Sequence, residues 1–259
     1  MYFESHAHYD DGRYAKDRHD VIKACRDANV GCIINIGADM KSSRKSVQLA
    51  AEYDFVFAAV GVHPHEAKTL NDNSFAELEK LTAADKVVAV GEIGLDFHYD
   101  HSPRDVQRKW FIKQMELAKS VGLPVVLHSR EAMAETFDIV KSANLTDRGG
   151  KGAGVLHCYS GAFDMAQRFV ELGYFIGIAG PLTYKNAKKL VEVVKYLPLE
   201  RILIETDCPY LSPEPFRGKR NDSQNLRFIC EKISEIKQIP VENVEEITFQ
   251  NGRIFFDIK

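Results

Sequence analysis

Nothing in this sequence stays apolar for the roughly 20 residues needed to cross a bilayer, so a membrane-spanning helix is excluded. No two cysteines share CxxC spacing, and the total of five (Cys25, Cys32, Cys158, Cys208 and Cys230) is odd. A disulfide framework is therefore not expected; reduced thiols of a cytoplasmic protein are. The opening MYFESHAHYDD has no charged segment leading into an apolar stretch, so no secretory signal is expected there. Basic charge is not in excess either: 34 Lys and Arg stand against 37 Asp and Glu, a formal net charge of −3. That excludes a coat of non-specific nucleic-acid contacts, though not a local grip on one nucleic-acid end. Low-complexity tracts, long Pro- or Gly-rich linkers and clear sequence repeats are also missing.

What is present is a short apolar run followed by an amphipathic stretch, again and again. Expected strands are 1–5, 32–36, 56–60, 87–92, 124–128, 154–158, 174–178 and 202–205, mostly continuous apolar runs of the kind a parallel strand needs when both faces are covered. Between them lie helical patterns. The clearest starts at Ser102-Pro103-Arg104-Asp105, read as a capping serine with proline at the first helical position. It buries Val106, Trp110, Phe111, Met115 and Ala118 on one face and stops at Gly122. A late helix repeats the spacing with Leu226, Ile229, Cys230 and Ile233. Alternating strands and helices in 259 residues point to an α/β fold, a single-domain (β/α)8 TIM barrel spanning 1–259. A doubly wound open sheet is the alternative.

The chemistry lies at the strand ends. The first strand runs into His6-Ala7-His8, where alternation puts both imidazoles on one face. The third ends in Gly61-Val62-His63-Pro64-His65, the fourth in Gly91-Glu92-Ile93-Gly94-Leu95-Asp96 and the fifth in His128-Ser129-Arg130-Glu131. The sixth leads to His157-Cys158-Tyr159-Ser160-Gly161 and the eighth to Glu205-Thr206-Asp207. Six of the nine histidines thus sit at strand C-termini, where barrel enzymes build their sites. One such histidine would be unremarkable, since most are hydrogen-bonded structural residues. Several buried imidazoles together with carboxylates are costly unless charge is compensated, and divalent cations supply that compensation. Cys158 and Cys208 adjoin these positions but, as neighbours in an extended chain, are expected to face the core. Trp110 is expected in the core, and His98 and His101 in an exposed loop.

Taken together, SHAHYD, GVHPH, GEIGLDF, LPVVLHSRE, LHCYSG, IETDCPYL and GKRN, in this order from residue 5 to residue 221, resemble the TatD family of metal-dependent deoxyribonucleases within the amidohydrolase-like barrels. NGRIFF near the C-terminus resembles that family's closing segment. The resemblance implies metal ligands at His6, His8, Glu92, His128, His157 and Asp207. One ion would take His6, His8, Glu92 and Asp207, the other Glu92, His128 and His157, with Glu92 bridging. The sequence departs from the family pattern at Glu4, where Asp is frequent, and at Asp222-Ser223, where Glu-Pro is common after GKRN.

The activity implied is hydrolysis of DNA phosphodiesters, with 3′–5′ exonuclease action on single-stranded DNA as the specific form, by two ions activating a water. Glu92 and Asp207 would be the catalytic carboxylates, Asp207 holding the water or taking its proton. His63 and His65 would face substrate phosphates, or else form a structural His-Pro-His turn. Arg130 would meet a phosphate or pair with Glu131; Lys219 and Arg220 would contact the nucleic-acid backbone or remain solvated. Mg²⁺ is the expected ion in function, with Zn²⁺ or Mn²⁺ also suited to these nitrogen and oxygen donors. DNA, as single strands or 3′ ends, is the expected partner. Two other readings stay open: a related barrel acting on a small ester, amide or phosphoester, for which many amidohydrolase relatives carry a modified lysine where this chain has Glu92, and a non-catalytic DNA-end or metal-binding protein.

Overall fold

Eight strands, β1 (Tyr2–Ala7), β2 (Val30–Ile36), β3 (Val56–Val60), β4 (Val87–Asp96), β5 (Val125–Arg130), β6 (Gly154–Leu156), β7 (Tyr174–Ile178) and β8 (Ile202–Ile204), form one sheet in sequence order in the computed structural model, which describes Met1–Lys259. Nine helices follow or separate them: α1 (Arg18–Asp27), α2 (Met40–Glu52), α3 (Asp72–Leu81), α4 (Arg104–Val121), α5 (Met133–Ala143), α6 (Phe163–Glu171), α7 (Lys188–Tyr196), α8 (Leu226–Lys237) and α9 (Val241–Phe256). The fold is the (β/α)8 barrel expected from the alternation. No helix is long and apolar enough to cross a membrane.

The chain divides into two compact units, one made of 1–34, 158–171 and 175–259, the other of 35–157 with 172–174. In the second unit β3 to β6 run parallel, with Val60 beside Val90, Ile93 beside Leu127, and Leu127 beside Leu156. β3, β4 and β6 are buried almost throughout, as is β5 as far as Leu127, which is why they read as continuous apolar runs. Between Val90 and Ile93 the register against β5 shifts, since three steps along β4 match two from Val125 to Leu127. The extra residue is a bulge at Gly91–Glu92, a device that bends a strand and re-aims a side chain. It lets β4 continue to Asp96 instead of ending at Glu92. Glycine is required on both sides of Glu92: at Gly91 (φ 152°) a Cβ would lie 2.5 Å from the Val126 carbonyl, and at Gly94 (φ 145°) 1.9 Å from that of His128. Beneath, Trp110 packs with Val60, Val62, Leu78 and Leu117, so it is core as expected.

Helix α4 starts at Arg104 and ends on left-handed Gly122, φ 71°. Ser102 does not cap it; its hydroxyl donates to the His65 carbonyl at 2.8 Å and accepts from Lys68 N at 3.1 Å, fastening the His63–His65 turn. In the first unit β7 and β8 are parallel, with Gly177 beside Leu203. Phe3 of β1 stacks on Phe256 of α9 at 5.7 Å, and Asn251 donates to the Leu199 and Ile202 carbonyls at 2.8 Å, anchoring α9 under β8. Beyond the strands, the end of β1 is tied to the segment after β8 by His8 N donating to Cys208 O at 2.8 Å and Asp207 N donating to His6 O at 3.0 Å.

Candidate metal centre

That pair of backbone bonds brings His6, His8 and Asp207 side by side. The Nε2 atoms of His6 and His8 lie 3.1 Å apart, so at most one proton fits between them, and Asp207 Oδ1 is 3.8 and 3.5 Å from the two nitrogens. His6 is fully buried; His8 and Asp207 keep a sliver of exposure. Asp207 adopts a left-handed conformation (φ 55°), an unusual state that Asp tolerates better than most residues and that turns its carboxylate out of the strand line.

Its setting is built from groups to which the sequence assigns no role. Glu4 accepts hydrogen bonds from Thr206 N (2.8 Å), Thr206 Oγ1 (2.6 Å) and His6 N (3.2 Å), linking β1 to the segment carrying Asp207. Burial pushes the Glu4 carboxyl up to about 8, against the pull of those bonds. Asn221 of the GKRN segment donates to the carbonyls of Thr206 (3.0 Å) and Tyr210 (2.7 Å), clasping Asp207 from both sides. Buried Glu205 accepts from Ser5 Oγ at 3.3 Å and Cys158 N at 2.5 Å, and Gly177 leaves it room: a Cβ there would be 2.7 Å from Glu205 Oε2. Cys208 is buried as expected, but Cys158 is half-buried and left-handed (φ 45°), so strand alternation does not hold there.

In the second unit Glu92 Oε1 is a hub. His128 Nδ1 lies 3.0 Å from it, His63 Nε2 3.4 Å and His157 Nε2 3.6 Å. The ligand atoms of His63, Glu92 and His128 all lie within 4.8 Å of one another. A second carboxylate, Asp96, fully buried, accepts through Oδ2 from His65 Nε2 (2.9 Å) and faces His128 Nε2 (3.0 Å). His128 is thereby held between two carboxylates. Burial would lower its pKa, but the hydrogen bonds to Asp96 and Glu92 outweigh burial and raise it. Burial would raise Asp96; bonds from His128, the Tyr99 amide and His65 instead take it well below the usual carboxylate range. His63, buried and with less compensation, is lowered to about 4 and so is neutral at physiological pH.

These donors fit a divalent cation by their chemistry. Buried imidazole nitrogens and carboxylate oxygens converge at 3.0–3.6 Å around Glu92, and neutral imidazole with carboxylate is the donor set of Zn²⁺, Mn²⁺ and related ions. With Glu92 committed to an ion, the His128 nitrogen facing Asp96 keeps a carboxylate that fixes the ring, as metal-ligating histidines generally require.

The remaining candidates are placed as follows. His63 stands within the Glu92 cluster rather than facing outward, and His65 lies between Asp96 and the loop after β4. Arg130 lies over the Tyr99 ring, 4.7 Å from its centroid, while Glu131 takes His98 Nδ1 at 2.8 Å. Arg220 is bidentate to Asp17 (2.8 and 2.6 Å) and donates to Arg13 O, and Lys219 lies over Phe216; both line a shallow pocket with Asp222 and Arg227. At the departure from the family pattern, Asp222 caps the turn by accepting from Gln224 N at 2.9 Å, and Ser223 Oγ meets Tyr9 OH at 2.7 Å.

A family model described as TatD related DNase matches residues 3–257. Among similar proteins is YabD of Bacillus subtilis, described as an uncharacterized metal-dependent hydrolase, 39% identical over 258 residues with 100% of each chain covered. A protein of Edwardsiella piscicida named 3′-5′ ssDNA/RNA exonuclease TatD is 35% identical, covering 95% of each chain. Among solved structures, the YjjV TatD homologue of Escherichia coli superposes with a TM-score of 0.92 at 31% identity, covering 100% of this chain and 98% of that one.

Proposed function

This chain belongs to the TatD-related DNase family of metal-dependent hydrolases, and on that premise we propose that it removes nucleotides from the 3′ end of single-stranded DNA. Its ion ligands in this reading are His6, His8, Glu92, His128, His157 and Asp207, Glu92 serving both ions. The observation that carries the reading is the Glu92 hub, a carboxylate oxygen with three imidazoles at 3.0, 3.4 and 3.6 Å. When bound, Mg²⁺, Mn²⁺ or Zn²⁺ would supply the positive charge that acidifies water and stabilises a phosphodiester under attack.

The chain's own residues do the rest. Asp207, clasped by Asn221 and tied to the His6 carbonyl, is positioned to take a proton from the attacking water. His63, neutral near pH 7, offers one N–H or one lone pair and no charge, so it orients without repelling a cation. Arg130 provides donors for substrate phosphates, while His65 gives its N–H to Asp96 and steadies that carboxylate. Lys219 supplies a further cation, and Arg220 would act from its position on Asp17. A locally rather than globally basic surface suits an enzyme that holds a strand by its end, given a net charge of −3. The family likeness and Glu92 in place of a modified lysine favour this over a small amide or ester substrate.

The test is polarity. A 5′-labelled single strand should shorten in a ladder from its 3′ end, and a 3′-terminal block of non-hydrolysable linkages should stop it. Internal cuts, or shortening from the 5′ end, would overturn the exonuclease assignment.

A further inference from the structure

We infer that the loop joining β4 to α4 carries a nucleobase-stacking subsite centred on Tyr99, occupied by a base of a single-stranded nucleic-acid substrate. The inference rests on the nuclease reading above. Tyr99 is 50% exposed and stands among flat side chains. His101 lies parallel to it (5.5 Å, 6°), while His98 (4.7 Å, 85°) and His65 (5.4 Å, 90°) meet its ring edge-on. The Arg130 guanidinium lies over the ring at 4.7 Å.

The loop is pinned, so the ring is presented in a fixed place. Asp96 Oδ1 accepts from His98 N (3.0 Å) and Tyr99 N (2.9 Å). Arg104 holds the Asp100 carboxylate at 2.7 Å and the Phe97 carbonyl at 3.2 Å, and Lys68 Nζ donates to the His101 carbonyl at 2.8 Å. A surface aromatic fixed in advance loses little freedom when it binds.

Tyr99 is also close to the chemistry by a short chain of contacts. Its amide donates to Asp96, the other Asp96 oxygen faces His128 Nε2 at 3.0 Å, and His128 Nδ1 faces Glu92 at 3.0 Å. The charges around the ring select the ligand. Glu131 faces His98 and Asp100 faces Arg104, so each acid has a partner, and Arg130 is the cation left beside the ring. A flat ring under a guanidinium matches a nucleotide: the Arg130 side chain that lies over the ring turns to the next phosphate, and the base takes its place on that face. Stacking of this type tolerates any base but needs one that is unpaired, so single strands are favoured over duplex ends.

The test uses the full chain with Mn²⁺ and 5′-labelled single-stranded oligonucleotides, either intact or abasic near the 3′ end. Tyr99→Ala should lower kcat/KM on the intact strand by about tenfold, chiefly through KM, while Tyr99→Phe keeps it within about twofold. On the abasic strand, wild type and Tyr99→Ala should converge. Equal rates of the two on the intact strand, or the same loss on both strands, would overturn the subsite. Failure of the nuclease reading shows separately, by fluorescence anisotropy in EDTA. An uncut strand that Tyr99→Ala binds about tenfold more weakly removes the reaction and keeps the subsite. An uncut strand bound without dependence on Tyr99 removes both.

Discussion

Replacing Asp96 by asparagine separates the charge of this carboxylate from its shape. Asp96 serves four groups: Oδ1 takes the amides of His98 and Tyr99, and Oδ2 faces the nitrogens of His65 and His128. An asparagine has one accepting oxygen and one donating amide. With its oxygen left toward the two backbone amides, its NH₂ faces His65, which can switch tautomer and accept, and His128, which when ligated through Nδ1 keeps its Nε2–H and meets the amide donor to donor. Flipped, it satisfies the imidazoles and loses both amides. Either way at least one bond fails, and in the first orientation it is the bond to His128. A hydrogen bond to a charged group is worth about 1.5–3 kcal/mol. Only the bond to His128 is coupled to an ion, so the expected loss in metal affinity is about 10- to 100-fold, the range seen for partners of metal-ligating histidines. Titration of metal-free Asp96→Asn and wild type with Mn²⁺ or Zn²⁺ against a fluorescent chelator measures it. Affinity within about twofold of wild type would refute the claim that Asp96 holds His128 for the metal.

Other expectations follow from single positions. His128→Ala and Asp207→Ala should each abolish turnover while retaining the wild-type circular dichroism spectrum; a normal rate in either purified variant would remove that residue from the site. Gly94→Ala should destabilise the fold by at least about 2 kcal/mol, because its Cβ would sit 1.9 Å from the His128 carbonyl at a φ of 145°; an unchanged Tm would contradict the packing described. Glu4 supplies a pH dependence. Its carboxyl is raised from 4.5 to about 8 in the fold, so the folded state keeps a proton the unfolded chain gives up. That stabilisation is complete below about pH 4.5 and fades as pH rises toward 8. In chelator, the Tm of wild type should therefore fall between pH 5 and 8.5 more than that of Glu4→Gln, and parallel curves would show that Glu4 is already ionised.

Much of this was legible in the sequence because periodicity reports burial directly. The runs 56–60 and 174–178 are the observed β3 and β7, and His6 and His8 share a face as alternation requires. The family likeness extends over the whole chain because the family model matches residues 3–257. What stayed hidden is non-local. Asp96 and Glu205 are single acids near strand ends, and nothing in the sequence separates such an acid from a solvated one; their roles emerge only where His128, or Ser5 and Cys158, meet them. The sixth strand stops at Leu156, short of Cys158, because the chain turns left-handed there, and the fourth runs past Glu92 to Asp96 because a bulge absorbs one residue. Ser102 carries a capping signature, but its hydroxyl is engaged by the His65 carbonyl instead. The sequence offers Arg130 either a phosphate or Glu131, but it lies over Tyr99, a contact that needs the end of β5 to meet the loop after β4.

The central claim, a metal-dependent phosphodiesterase site organised on Glu92, is tested most directly by time-resolved digestion of end-labelled single-stranded DNA with Mg²⁺, Mn²⁺, Zn²⁺ or EDTA, run beside Glu92→Ala. The expected result is stepwise loss of 3′ nucleotides with a divalent ion, none in EDTA and none from the variant. Uncut DNA with every ion from metal-loaded wild type, or equal cleavage by Glu92→Ala, would contradict it.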